Sequence, residues 1–170
     1  ARYNFGGPGT CVGFADAGDS LAAIEKVIFI DKKYTMRQLC DALDADFVGY
    51  EALQKALCDA PKFGSDDDFA DKWCRYVHNL YNTSILKSRN SRGGVLQPGG
   101  VSMSVFVPHG AVCGALPSGR KAGKPLANGV GAVIGAESNG LLSNFNSMSK
   151  INFYGNFDTI WNVRIDGGSC

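Results

Sequence analysis

Apolar side chains in the first half of the chain recur at helical spacing. Ala17, Leu21, Ile24 and Ile28 are separated by four, three and four positions, which lines them along one face of an amphipathic helix. Met36, Leu39, Cys40 and Leu43 form the stripe of a second helix, and Thr35 followed by Gln38 is a capping-box pattern at its start. A third, short helix is predicted from about Tyr50 to Asp59, stopping before Pro61, whose ring cannot continue it. Ser65 is expected to cap a fourth helix, with Asp66, Asp67 and Asp68 in the first turn, where the helix dipole favours anions. Its stripe runs Phe69, Trp73, Tyr76, Val77 and Leu80; if it reaches Arg89 it is about 36 Å long at ~1.5 Å per residue.

The pattern changes after Arg92. Gly93-Gly94 and Pro98-Gly99-Gly100 break the chain, and residues 101–107 alternate as a strand does, ended by Pro108-His109-Gly110. A glycine-studded loop follows over 114–129, then a short helix near Leu141–Ile151 and a strand near Thr159–Ile165. Residues 1–92 thus read as mainly helical and 93–170 as strands and glycine-rich loops, an α/β arrangement.

Composition narrows the function classes. Of the 170 residues 45% are apolar, enough for a sizeable core, and the net charge of +1 disfavours a nucleic-acid binder. No apolar run approaches the ~20 residues needed to span a bilayer. The 22 glycines are placed unevenly, with twelve of them between residues 93 and 140, which marks that stretch as loop-rich. The chain begins at Ala1 without a methionine and stops at Gly168-Ser169-Cys170, ends expected of a piece of something longer. None of the six cysteines sits in a CxxC pair, and neither histidine lies at ligand spacing from one, so a zinc or iron–sulfur site is poorly supported. Cys40, Cys58 and Cys74 fall on helical stripes and are expected to be buried. Unpaired spacing fits a reducing, cytoplasmic setting.

Few residues carry chemistry by type and spacing. The basic run Arg120-Lys121-Ala122-Gly123-Lys124 could cradle a phosphate, but Pro125 stands where a Walker A loop needs Ser or Thr, and a solvated or dimer-facing loop is the plainer reading. Gly129 to Gly135 has the wrong glycine offsets for a dinucleotide fingerprint. Asp66, Asp67 and Asp68 are consecutive and point in different directions on a helix, which fits a capped start better than a cation site. His78 lies beside the long helix's apolar stripe and reads as packed, whereas His109, following a strand, is better placed for chemistry.

Several stretches together resemble the glycyl radical enzymes related to pyruvate formate-lyase. Tyr3-Asn4-Phe5 with Gly7-Pro8, then Asp19-Ser20-Leu21-Ala22-Ala23-Ile24, is similar to the family's YNF-x-GP and ADSLAAIKK segments. Residues 60–67 resemble its APKYGNDD turn. Arg89-Asn90-Ser91-Arg92-Gly93-Gly94, Pro98-Gly99 and Val105 to Gly110 follow in family order, and residues 114–129 are similar to GALPDGRKAGxPLADG. The resemblance covers about residues 1–165. Ser118 and Asn128 stand where the family usually has aspartates, Gly131-Ala132 replaces a common Ser-Pro, and Ile160 to Ile165 looks like a divergent LLNxK strand.

The resemblance implies a segment of a ten-stranded α/β barrel, with residues 1–170 a fragment of a pyruvate formate-lyase-like domain. It implies an enzyme of the dehydratase or lyase branch, in which a glycyl radical generates a cysteine thiyl, the thiyl takes a substrate hydrogen, and the substrate radical eliminates or rearranges. Formate C-acetyltransferase, a fumarate-adding enzyme of the family, and a non-catalytic binding or scaffold module stay open. The family's Cys-x-Glu is absent from this sequence. Arg164-Ile165-Asp166-Gly167-Gly168 imitates the start of the Arg-Val-x-Gly-Tyr radical loop but lacks the tyrosine and follows Ile151 too soon, so it reads as coincidence. No catalytic residue is therefore expected in this chain, no bound cofactor is implied, and the chain alone is expected to be inactive. A radical S-adenosylmethionine activating enzyme would install the radical. The other implied partners are the remainder of the same polypeptide, a second copy in a homodimer, and a small-molecule substrate, with no nucleic acid or membrane. If helices wrap the barrel, Val101, Met103, Val105 and Val107 face them, and Ser102 and Ser104 face the pocket and offer hydroxyls to substrate; the opposite register stays open.

Overall fold

Three short parallel strands, β1 (Pro8–Thr10), β2 (Gln97–Gly100) and β3 (Asp158–Thr159), form one sheet in the order β1-β2-β3. This is a computed structural model, and it describes residues 8–101, 104–137 and 139–163. Parallel neighbours cannot be joined by a tight hairpin, so each connection is a long crossover. The first carries α1 (Phe14–Ile24), α2 (Met36–Asp44), α3 (Glu51–Cys58) and α4 (Asp68–Lys87); the second carries α5 (Phe106–Val112) and α6 (Gly140–Ser149). The α/β class read from the sequence holds.

The four helices of the first crossover stand where the pattern predicts them, but two faces differ. On α1 the buried positions are Phe14, Ala15, Asp16, Gly18, Asp19, Ser20, Ala22 and Ala23, while Ala17 of the expected stripe is exposed. On α4 they are Ala70, Asp71, Cys74, His78 and Asn82, while Tyr76 and Leu80 are exposed. The cause is a close helix crossing. A Cβ on Gly18 would lie 2.1 Å from the Cys74 sulfur and 2.8 Å from its Cα, so small and polar residues, not the large apolar ones, fill the contact. Beyond Ile24 the chain continues as a π-helical stretch, Glu25–Ile30, closed by Asp31 N–H donating to the Lys26 carbonyl at 2.8 Å.

The Thr35 capping box forms as predicted: Gln38 N–H donates to Thr35 Oγ1 at 3.2 Å and Thr35 N–H to Gln38 Oε1 at 2.8 Å. The cap of α4 is Asp67 rather than Ser65, with Phe69 N–H donating to its carboxylate at 2.8 Å. Ser65 turns back to donate to the Lys62 carbonyl, and Asp66 adopts a left-handed φ of 57°. Cys74 is buried as expected, but Cys40 and Cys58 are exposed, because α2 and α3 bury Leu39, Ala42, Leu53 and Leu57 instead.

Of the alternating stretch 101–107, residues 102 and 103 lie outside the described residues, and the others are not in a strand. The strand lies earlier, in Gln97-Pro98-Gly99-Gly100, and residues from Phe106 are helical. Glycine is required there by crowding: a Cβ on Gly99 would sit 2.4 Å from the Asp158 carboxylate, and one on Gly100 2.3 Å from Val130. Pro108 falls in the first turn of α5, where its missing N–H costs nothing. Gly110 lets α5 press on the backbone at Lys124 and Pro125, which a Cβ would meet at 2.3 and 2.7 Å.

Two apolar cores flank α1. One gathers Phe14, Phe63, Cys74, Val130 and Met148; the other gathers Val27, Leu39, Phe47, Leu53 and Leu57.

Candidate functional site

The glycine-rich segment 114–129 and the turn at 60–64 are fixed by aspartates far away in sequence. Asp16 on α1 accepts the Ala127 N–H at 2.7 Å, Asp19 one turn later accepts the Phe63 N–H at 2.8 Å, and Asp46, beyond α2, accepts the Ala122 N–H at 2.7 Å. Asp46 and Phe47 both have positive φ, 47° and 63°, a strained turn that buries the Phe47 ring while turning Asp46 toward the loop. Gln54 on α3 adds a side-chain bond to the Gly119 carbonyl at 3.0 Å.

The loop is also braced from within. Arg120 donates to the carbonyls of Gly110 at 2.8 Å and Gly114 at 2.9 Å, and also to those of Lys124 and Pro125. Its guanidinium is spent on backbone, so it is a staple and not the phosphate clamp that residue type alone would allow. Gly129 pairs with Trp161 in an antiparallel bridge, and among the described residues no helix begins between it and Gly140, which removes the dinucleotide reading.

Burial sets the electrostatics of the clamps. It raises the Asp16 carboxyl, opposed by the Ala127 N–H and Arg120. It pushes Asp19 up to about 7, against the Phe63 N–H and Lys62, with Asp16 and Asp71 pushing the same way as burial. It raises Asp71, opposed by Lys150, and lifts the Cys74 thiol well above its usual range, so Cys74 stays a protonated core residue. Asp16, Asp19 and Asp71 each keep one buried oxygen without a hydrogen-bond partner among the described residues.

The other sequence-marked residues fall as follows. Lys150, at the end of α6, bonds Asp66 at 2.8 Å and Asp68 and Asp71 at 2.7 Å each; burial alone would lower its ammonium, but these three partners hold it well above the usual lysine range. The aspartate run is therefore a helix start tied to α6. His78 is buried between the rings of Phe14 and Phe153, its basicity lowered by burial, with the side-chain amides of Asn82 and Asn156 beside it. His109 is exposed on α5. Ser104 is an exposed turn residue before α5. Ser102 and the Arg164–Gly168 run lie outside the described residues. Among the described residues no three His, Cys, Asp or Glu side chains converge as a metal site, and no helix is long and apolar enough to cross a membrane.

Sequence reasoning missed the clamping role of the aspartates and the role of Tyr81. Tyr81 on α4 donates its hydroxyl to the Gly9 carbonyl, lies 3.3 Å from the Gly99 carbonyl, and so ties β1 to β2. All three strands run the same way, ending at Thr10, Gly100 and Thr159, and this carboxyl edge is where open parallel sheets present ligand-contacting residues. Tyr81 and the clamps therefore hold the strands and the loops that follow them in one frame.

A segment in which buried carboxylates pin glycine-rich loops beside parallel strand ends matches known proteins closely. The family model for pyruvate formate lyase-like proteins matches residues 1–110, and the chain belongs to that family. Isethionate sulfite-lyase from Bilophila wadsworthia (strain 3_1_6) is 42% identical over 149 residues, which is 85% of this chain and 17% of that protein. The glycerol-bound B12-independent glycerol dehydratase from Clostridium butyricum superposes with a TM-score of 0.87 at 40% identity, covering 94% of this chain and 20% of that one. A glycyl radical enzyme from Archaeoglobus fulgidus does so at 0.87 and 42%, with the same coverage. The chain thus spans about a fifth of the length of these relatives, and its helices and parallel strands are a segment of the glycyl radical enzyme α/β barrel, of the dehydratase and lyase branch.

Proposed function

We propose that these residues form one wall of a glycyl radical enzyme that cleaves a bond in a small organic substrate by a thiyl-initiated, dehydratase- or lyase-type reaction. The observation that supports this most is the superposition on the glycerol dehydratase over 94% of the chain at 40% identity. In this reading the glycyl radical takes the hydrogen of a cysteine thiol, the thiyl takes a substrate hydrogen, and the substrate radical expels its leaving group. The product radical then recovers hydrogen from the thiol. The wall's part is to exclude water and hold the strand ends, which close packing at the α1–α4 crossing and the aspartate clamps provide. Ser102 and Ser104 follow β2 in sequence and are proposed to offer hydroxyls to the substrate. A cytoplasmic location, a homodimer, a radical S-adenosylmethionine activase and inactivity of this chain by itself belong to the same reading.

The test is an anaerobic assay of the full polypeptide with its activase against glycerol, 1,2-propanediol, isethionate and trans-4-hydroxy-L-proline. Release of water or sulfite with one of them is the expected outcome. Formation of formate and an acyl thioester from pyruvate and coenzyme A would overturn the reading in favour of acetyl transfer.

A further inference from the structure

A cleft of about 520 Å³ opens beside the clamped loop, between the end of α3, residues 118–125 and the turn at 133–136. Its walls are mostly apolar, with Pro125, Val133 and Ile134 prominent, yet three cations line it: Lys62, Arg120 and Lys124. Lys62 gives two ammonium protons to the carbonyls of Leu57 and Ala60, at 2.6 and 2.9 Å, and has a third to give. Arg120 is committed to backbone but contributes its charge. Lys124 is exposed and has no carboxylate within salt-bridge distance among the described residues. Among the described residues the lining contains a single carboxyl, Asp19, which is fully buried. It faces Lys62 from the turn after α3, Asp16 on its own helix and Asp71 on α4, and burial pushes its carboxyl up to about 7. Ser118, only 7% exposed, lines the wall at the position where the related motif carries an aspartate. A hydroxyl there adds no negative charge to the wall, so the carboxyls that face Lys62 are Asp19 in the lining and Asp59 at the end of α3.

We propose that this cleft binds a small amphipathic organic anion, its charged group held by Lys62 and Lys124 and its apolar body against Pro125, Val133 and Ile134. The Lys62 ammonium, anchored on two carbonyls, and the exposed Lys124 line the same apolar-walled site, a setting that favours an anion over its neutral isostere. The proposal is independent of the reaction the full polypeptide performs.

The test uses the full polypeptide and two fluorinated probes, 4-fluorobenzoate and neutral 4-fluorobenzamide, titrated by ligand-observed ¹⁹F NMR. The benzoate is expected to bind at least about tenfold more tightly than the amide. Lys124→Gln, a substitution at an exposed position, is expected to weaken the benzoate by a similar factor without moving the melting temperature. Ser118→Asp should weaken it as well. Equal binding of the two probes, benzoate binding indifferent to Lys124→Gln, or no benzoate binding because another stretch of polypeptide fills the cleft would each overturn the proposal.

Discussion

Asp16 and Ala127 stand 111 positions apart, yet a carboxylate oxygen of the first accepts the backbone N–H of the second at 2.7 Å, both buried. The bond joins the helix after β1 to the loop that precedes the β3 region. Asp16→Ala leaves the Ala127 N–H buried without an acceptor, a loss of about 1–3 kcal/mol. Asp16→Asn keeps an acceptor and should cost less. Thermal unfolding of the two variants, with amide exchange at Ala127 accelerated in the alanine variant, checks this.

Asp19 carries a pH signature of definite sign. Its carboxyl sits at about 7 in the fold against an ordinary 3.8. An acid raised in this way binds more protons folded than unfolded across that interval, so its contribution to stability falls as pH climbs from about 4 to about 7. Asp19→Asn removes that component, on the order of 4 kcal/mol at most. Asp16 and Asp71 are raised too and leave a residual slope of the same sign. Urea midpoints measured across this range should diverge between the parent and the variant; parallel curves would contradict the assignment.

The α1–α4 crossing leaves no space for a methyl group at position 18. Gly18→Ala is expected to destabilise by about 1–3 kcal/mol through overpacking. Adding Cys74→Ala removes the sulfur at 2.1 Å but not the Cα at 2.8 Å, so the double variant should recover only part of the loss. Full recovery in chemical denaturation would show that the side chain, not the backbone approach, sets the limit.

Lys150→Met strips the partner from Asp71, whose side chain is 2% exposed. The expected loss near neutral pH is about 3 kcal/mol. Without the ammonium the Asp71 carboxyl rises further, so the deficit is fully present above its folded pKa and shrinks as pH falls and the group protonates. Melting temperatures at pH 7 and pH 4 test this, with the gap between parent and variant narrowing at pH 4.

What the sequence made legible were features written in local code. The Thr35–Gln38 box, the stop before Pro61, the long α4 and the helix at Gly140–Ser149 all follow from spacing and capping chemistry. The motif series from Tyr3 to Gly129 carries the family resemblance, and the family model matches residues 1–110. The faces of α1 and α4 were misread because an apolar-stripe argument assumes that large side chains mark the buried side, whereas Gly18 and Cys74 bring these helices too close for them. The central strand was missed because it is Gln97-Pro98-Gly99-Gly100, a composition that signals a break unless the crowding by Asp158 and Val130 is known. The clamps were invisible for a related reason: Asp16, Asp19 and Asp46 look like ordinary helix-surface and turn acids until the loops they hold are folded onto them.

Electron paramagnetic resonance after anaerobic treatment with the activating enzyme and S-adenosylmethionine bears most directly on the central claim, that the radical-forming residues lie on polypeptide adjoining this wall. The full polypeptide is expected to show a glycyl doublet and the 170-residue chain none. A doublet from the 170-residue chain by itself, or silence from the full polypeptide, would contradict the account.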